Sequence, residues 1–381
     1  MRKNKICFVA AIELTICAFM VDHLKKLSRE NRITVVVNTN NVDFLKPYDL
    51  DISVVPVKIE RRPSPISDMV ALCRLYRFFK REGFDSVHSI TPKAGLLAMI
   101  ASRLACVPVR IHTFTGQVWV ARKGVKRWLL KSLDRLLAAS ATHILVDSPS
   151  QRDFIVSEGV VSGIKAKVIG DGSICGVDAD RFTPDEKARK EIRKNLSIAE
   201  SDIVFLYVGR LNRDKGLLIL AQSFSKVSSD FPNAHLIMAG PDEEGMHEDM
   251  LSFCINCSKR IHFIGYTEMP EQYMAAADIF CLPSYREGFG IVVIEAASAG
   301  IPSIASRIYG VTDTIEDGIT GLLFTPGNAD ELAGKMRSYL NSPSSIKEMG
   351  MAARKRTLSL YSKDRVTEAT LEFYRKILGM K

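Results

Sequence analysis

The chain has 381 residues, more than one hydrophobic core usually serves, so two domains are expected. Hydrophobic residues make up 46% and charged residues 25%, which excludes a disordered chain. The formal net charge of +9 is too mild to signal nucleic acid by itself, but it suits an anionic membrane surface or phosphorylated substrates.

From the N-terminus, a basic start leads into an apolar run from Ile6 to Val21. Glu13 interrupts it and no small-residue cleavage site closes it, so no secretory leader is expected. No segment offers ~18 uninterrupted apolar residues, so no membrane-spanning helix is expected either. Residues 5–10 read as a strand and 19–27 as a helix, while Ile33–Val37 is β-branched throughout, as suits a strand buried on both faces. Ile52–Val57 follows as a strand, Met69–Arg81 as an amphipathic helix, Ser86–Ser89 as a strand and Lys93–Ala105 as a helix. The strand Val109–Thr113, a basic helix from about Lys123 to Ala139 and the strand Thr142–Val146 complete the first alternation. Residues 168–182 are rich in loop formers, and 183–201 are highly charged without a strong apolar period. The domain boundary is placed there, near residue 185.

The alternation then restarts. Strands are expected at Ile203–Val208, His235–Ala239, Ile261–Ile264, Ile279–Leu282, Ser303–Ala305 and Gly321–Phe324, with a helix over Leu217–Ser228. This pattern argues for an α/β chain with two doubly wound, Rossmann-like domains and mostly parallel sheets, 1–185 and 186–360. A terminal helix follows in 361–381. Ligands of such sheets gather beyond the carboxyl ends of the strands, so the site is expected there, in a cleft between the domains.

Eight cysteines are scattered along the chain. Only Cys254 and Cys257 have metal-like spacing, and no second pair answers them, so neither zinc nor a disulfide framework is expected.

Two constellations carry chemistry. In Glu287–Glu295 the carboxylates stand eight positions apart, the first in a Gly-rich turn, the second in an apolar helix roughly eight rises of ~1.5 Å further on. A helix start behind small residues seats an anionic group. An acid in an apolar helix is costly to bury unless strong donors, such as a sugar diol, reach it. In Gly209–Gly216, a strand ends on Gly209, which permits close backbone approach, while Arg210 and Lys215 offer a planar fork and a mobile point charge. Together these suit a diphosphate.

Gly209-Arg210 and Lys215-Gly216, with Glu287 and Glu295 about 70 residues on, resemble the retaining glycosyltransferases of family 4, of GT-B architecture. The likeness is clear over most of 165–325. It includes Gly172-Ser173, Gly176-Val177-Asp178, Gly240-Pro241, Gly265-Tyr266, Ala277-Asp278, Pro283-Ser284, Gly318 and Gly321-Leu322. The resemblance implies that Arg210 and Lys215 bind the donor diphosphate, Glu295 the ribose hydroxyls and Glu287 the hydroxyls of the transferred sugar. It implies further that Phe289, Gly290 and Ile291 line the donor site through backbone groups, and that Tyr266 lines the nucleobase pocket. It implies as well that the two domains face a cleft and that the last helix crosses back to the first domain. The resemblance implies transfer on one face of the sugar, with the leaving diphosphate accepting the proton, so no metal and no cofactor beyond the donor are expected.

The N-terminal half matches less well. The segment Ala10–Cys17 has no glycine where family members often carry a Gly-rich loop. The family's catalytic histidine register falls on Thr115, with His112 three positions earlier; either takes the role, or His112 is a strand histidine.

Between Trp119 and Arg135 lie six cations, one anion and the chain's two tryptophans. This reads as an interfacial helix on anionic lipid, extended by Arg74, Arg77, Lys80 and Arg81, or as an amphipathic helix packed on the sheet. The expected enzyme is peripheral on the inner face of the cytoplasmic membrane. It moves a hexose or N-acetylhexosamine from a UDP-sugar to a polyprenyl-diphosphate-linked saccharide of a bacterial surface polysaccharide such as O-antigen. A soluble acceptor, a nucleotide-sugar epimerase or hydrolase, and a non-enzymatic subunit are the alternatives.

Overall fold

The computed structural model describes residues 3–60 and 64–379, and the chain divides into two compact units. Unit 1 comprises Met1–Cys175 with Lys363–Lys381; unit 2 is Gly176–Ser362.

In unit 1 the strands are β1 (Lys5–Ile12), β2 (Arg32–Asn38), β3 (Ser53–Pro56), β4 (Ser86–Ile90), β5 (Val109–Phe114), β6 (His143–Val146) and β7 (Ala166–Val168). They pair in parallel in the order β3-β2-β1-β4-β5-β6-β7. Helices cover both faces, so both sides of the central strands are apolar: Cys7 and Val9 enter one core, Ile6 and Phe8 the other. The three-residue edge strand β7 lay inside a segment that the sequence gives no strand signal for.

The last helix, Lys363–Leu378, belongs to unit 1. Leu371 and Tyr374 sit in its second core, and Arg375 pairs with Glu30 at 3.2 Å. The helix therefore crosses back, as the resemblance implied.

In unit 2, β8 (Ile203–Val208), β9 (Ala234–Ala239), β10 (Ile261–Gly265), β11 (Ile279–Leu282), β12 (Ser303–Ser306) and β13 (Gly321–Phe324) form a parallel sheet ordered β10-β9-β8-β11-β12-β13. The boundary near 185 shifts to 175/176. Val177 and Phe182 are buried in the unit 2 core, and Ser298 Oγ donates to the Phe182 carbonyl at 2.6 Å. The charged stretch in which the boundary was placed contains the helix Glu186–Asn195, capped by the Asp185 carboxylate. Its buried residues are Ala188 and Arg193; Arg193 is fully enclosed and meets Asp278 at 2.7 Å, with Arg189 on the other oxygen at 2.8 Å.

Candidate active site

Unit 2 contains a topological switch point. From β8 the chain builds outward to β9 and β10, then returns beside β8 with β11 and builds the other way. The loops that follow β8 and β11 therefore border one crevice at the carboxyl edge, where open α/β sheets bind ligands. The two loops are locked together. Gly216, at φ +68°, lies so close to Pro283 that a Cβ would stand 2.1 Å from the Pro283 carbonyl oxygen. The Tyr285 amide donates to the Asp214 carbonyl at 3.0 Å, and Arg286 meets the Asp214 carboxylate at 3.4 Å. The loop after β9 joins them at Gly240, where a Cβ would fall 1.8 Å from the Gly209 oxygen.

These contacts set the side chains. Lys215 Nζ meets Glu287 Oε1 at 2.6 Å, and Ser284 Oγ donates to the same oxygen at 2.7 Å. Among the described residues no partner meets Glu287 Oε2. Arg210 lies over the loop after β9, paired with Glu243 at 2.9 Å, and the Tyr207 hydroxyl holds the Arg210 carbonyl at 2.9 Å. Burial, aided by the Glu287 charge, pushes the Tyr207 phenol well above its usual range, so it stays a donor.

Glu295 is less deep in its helix than the spacing suggested. Gly290, at φ +77°, starts the helix Ile291–Ser298, so only one turn separates Glu295 from the helix start. The intervening Glu287–Gly290 is loop, anchored by buried Phe289 against the Tyr361 ring at 5.1 Å. The Glu295 side chain is part-buried and makes no hydrogen bond among the described residues. Burial pushes its carboxyl up to about 7, with the Arg181 charge opposing the shift and Glu271 adding to it. Desolvation disfavours the charged form, and hydrogen bonds donated to it would restore it. Tyr266 follows β10 and is 69% exposed, free to offer a ring face.

The sequence holds two Asp-x-Asp triplets, 49–51 and 178–180. Asp178 Oδ1 accepts from the amides of Asp180 and Arg181, which makes it a turn former. Among the described residues no cluster of three His, Cys, Asp or Glu side chains is arranged to hold a metal ion.

In unit 1 the structure separates the two tentative catalytic residues. His112 is 1% exposed, its Nδ1 lies 2.9 Å from Ser89 Oγ, and its ring meets Phe114 edge-on. Gly95 backs directly onto the ring, where a Cβ would stand 2.4 Å from Cε1. Burial lowers the imidazole to about 3. His112 is thus a neutral histidine of the core between β5 and the helix Pro92–Leu104, which corrects its candidacy. Thr115 stands at the carboxyl end of β5, half-buried.

The basic segment also divides. Trp119 is 1% exposed: its indole donates to Asp134 at 2.8 Å and its ring stacks on Phe154, so it faces the core and not lipid. Arg127 and Lys131 lie over that ring and pair with Glu158 at 2.9 and 2.6 Å. The outward arc of the helix Gly124–Ser140 carries Val125 (79% exposed), Trp128, Leu129 and Leu136 instead. Arg122, Lys123 and Lys126 are exposed beside it. Among the described residues no helix is long and apolar enough to cross a membrane.

Sequence reasoning assigned no role to Ser284, Tyr207 or Glu243. Ser284 was visible in Pro283-Ser284, but only the folded turn aims its hydroxyl at Glu287.

Two family models match the chain: "Glycosyl transferase 4-like domain" over residues 20–172 and "Glycosyl transferases group 1" over 188–356. The capsular polysaccharide biosynthesis glycosyltransferase CapM of Staphylococcus aureus is 29% identical over 380 residues, 99% of this chain and 98% of that one. The UDP-Gal:alpha-D-GlcNAc-diphosphoundecaprenol alpha-1,3-galactosyltransferase of Escherichia coli is 30% identical over 276 residues, covering 71% of this chain and 70% of its own. Among solved structures, Anabaena HepE in complex with UDP and glucose superposes with a TM-score of 0.81 at 18% identity, over 98% of this chain and 100% of that chain. The chain belongs to the group 1 glycosyltransferases: it is a glycosyltransferase of GT-B type, related to enzymes of capsular polysaccharide biosynthesis.

Proposed function

We propose that this enzyme transfers a hexose or N-acetylhexosamine, with retention, from a UDP-sugar to a polyprenyl-diphosphate-linked saccharide of a bacterial surface polysaccharide. The observation that carries the donor side is the Lys215–Glu287 contact at the switch point, which sets a phosphate-binding cation beside a hydroxyl-binding carboxylate. In this reading Arg210 and Lys215 hold the diphosphate, and Glu287 Oε2 takes a sugar hydroxyl. Glu295 takes the ribose diol, Tyr266 lies against the base, and the backbone of Phe289, Gly290 and Ile291 lines the donor. The bond from the anomeric carbon to the phosphate oxygen breaks as the acceptor oxygen bonds to that carbon on the same face. The acceptor proton passes to the departing phosphate oxygen, and the two cations stabilise the charge that develops there. No metal is required for these steps.

The acceptor reading draws on the E. coli relative, whose printed name includes a diphosphoundecaprenol acceptor. It also draws on the exposed apolar arc of Gly124–Ser140 with its three flanking cations, which suits an anionic membrane surface on the cytoplasmic side. Titration with UDP, GDP and ADP identifies the base; binding to none of them refutes the donor reading. Incubation with a panel of UDP-sugars and a short-chain prenyl-diphosphate sugar, read by mass, tests transfer. Sedimentation with anionic vesicles compares wild type with Arg122, Lys123 and Lys126 neutralised. Absence of vesicle binding, with only water-soluble acceptors glycosylated, would refute the lipid-linked acceptor; hydrolysis or epimerisation alone would refute transfer.

A further inference from the structure

We infer that Ser284 is a positioning residue for the transferred sugar, acting through Glu287; the inference rests on the proposed role of Glu287 as the acceptor of a sugar hydroxyl. Three observations carry it. First, the Glu287 carboxylate is held asymmetrically, with Lys215 Nζ and Ser284 Oγ both on Oε1, at 2.6 and 2.7 Å. Oε2 has no partner among the described residues, so one oxygen is fixed and the other is presented. A carboxylate anchored by one oxygen has a defined direction for its second lone-pair set, which a freely rotating terminal torsion lacks.

Second, the two anchors differ in kind. Lys215 is a mobile ammonium with three donors, and in the proposed reaction a diphosphate draws on it. Each donor spent on phosphate weakens its hold on Glu287. Ser284 has no such competing demand. It is fully buried at the end of β11, on a loop pinned by the Tyr285 amide to Asp214 and by the close approach of Gly216 to Pro283. Its hydroxyl keeps Glu287 aimed when the donor arrives and Lys215 turns to phosphate.

Third, the serine side chain makes one hydrogen bond among the described residues. Its hydroxyl is satisfied by Glu287 alone among the described residues, so truncation to alanine removes the aim of the carboxylate and little else.

The test titrates UDP and assays turnover with the accepted UDP-sugar in wild type, Ser284→Ala and Ser284→Thr. UDP lacks the sugar, so its affinity is expected to stay within about twofold in all three proteins. Turnover is expected to fall at least about tenfold in Ser284→Ala, the scale of losing one hydrogen bond to a charged group. Ser284→Thr, which returns a hydroxyl, is expected to recover most of that loss. A merely structural role predicts a different pattern, with UDP affinity, melting and turnover declining together and threonine no better than alanine. That pattern, or undiminished turnover in Ser284→Ala, overturns the inference and leaves the donor reading standing. Failure of wild type to bind UDP, GDP or ADP overturns both.

Discussion

His88 Nδ1 and the Tyr374 hydroxyl meet at 2.6 Å although 286 positions separate them, and this contact ties the last helix to the middle of the unit 1 sheet. The other ring nitrogen of His88 is satisfied by Thr113 Oγ1 at 2.7 Å, so both ends of a buried imidazole depend on fold-level partners. Burial lowers that imidazole to about 3, which keeps it neutral.

Tyr374→Phe should therefore leave one buried ring nitrogen unpaired and cost unit 1 about 1–3 kcal/mol. Both tryptophans lie in unit 1, so tryptophan fluorescence during urea unfolding reads this unit directly. An unchanged midpoint would show that the hydroxyl holds nothing.

Lys215→Ala and Glu287→Ala should each lower turnover by at least about 100-fold, the scale of losing one preorganised charge-stabilising group. Their melting should change little, because both stand in turns where truncation opens no core cavity. Near-normal turnover in either variant, with normal melting, would place the chemistry elsewhere.

Glu295 gives the donor affinity a pH dependence. Burial pushes its carboxyl up to about 7, and the ionised form is the better acceptor of a ribose diol. Donor affinity should rise as pH increases from 6 to 8, with release of a fraction of a proton near pH 7. Glu295→Gln should flatten that slope and weaken binding by about 1–3 kcal/mol. Calorimetry of a UDP-sugar in buffers of different ionisation enthalpy measures the proton; the same release in wild type and variant would exclude Glu295 as its source.

Asp147 makes unit 1 sensitive to alkali. It is buried with Oδ1 unpartnered, and burial pushes its carboxyl up to about 8. Between the unfolded value near 4 and about 8 the native state binds a proton that the unfolded chain has lost, so stability falls as pH rises through that window and levels off above it. Asp147→Asn keeps the shape without the ionisation. It should stabilise unit 1 by about 1–3 kcal/mol at pH 8.5 and by nothing near pH 4, read again by tryptophan fluorescence. A stabilisation independent of pH would mean the carboxyl never ionises in the fold.

The strands of both sheets were legible because buried parallel strands are written as short β-branched or apolar runs, such as Ile33–Val37 and Ile203–Val208. β7 was not, since Ala166–Val168 is too short to show any period. The helix Glu186–Asn195 was missed for a different reason: it buries only Ala188 and the Arg193 guanidinium on Asp278, too little apolar surface to show a period. In the site, Arg210, Lys215, Glu287 and Glu295 stood out because their spacing is local or repeats a familiar pattern. Trp119 misled because composition does not tell an indole that donates to Asp134 from one that meets lipid. The neighbour that does face outward, Trp128, is nine positions along the same segment.

Because unit 1 is discontinuous and unit 2 is not, synthesis and folding run in different orders. A ribosome working at about 5–20 residues per second finishes unit 2 before it delivers Lys363–Leu378. Until then the second core of unit 1 lacks Leu371 and Tyr374, and the His88 ring has no phenol to meet. The unit whose synthesis starts before unit 2 is thus completed after it.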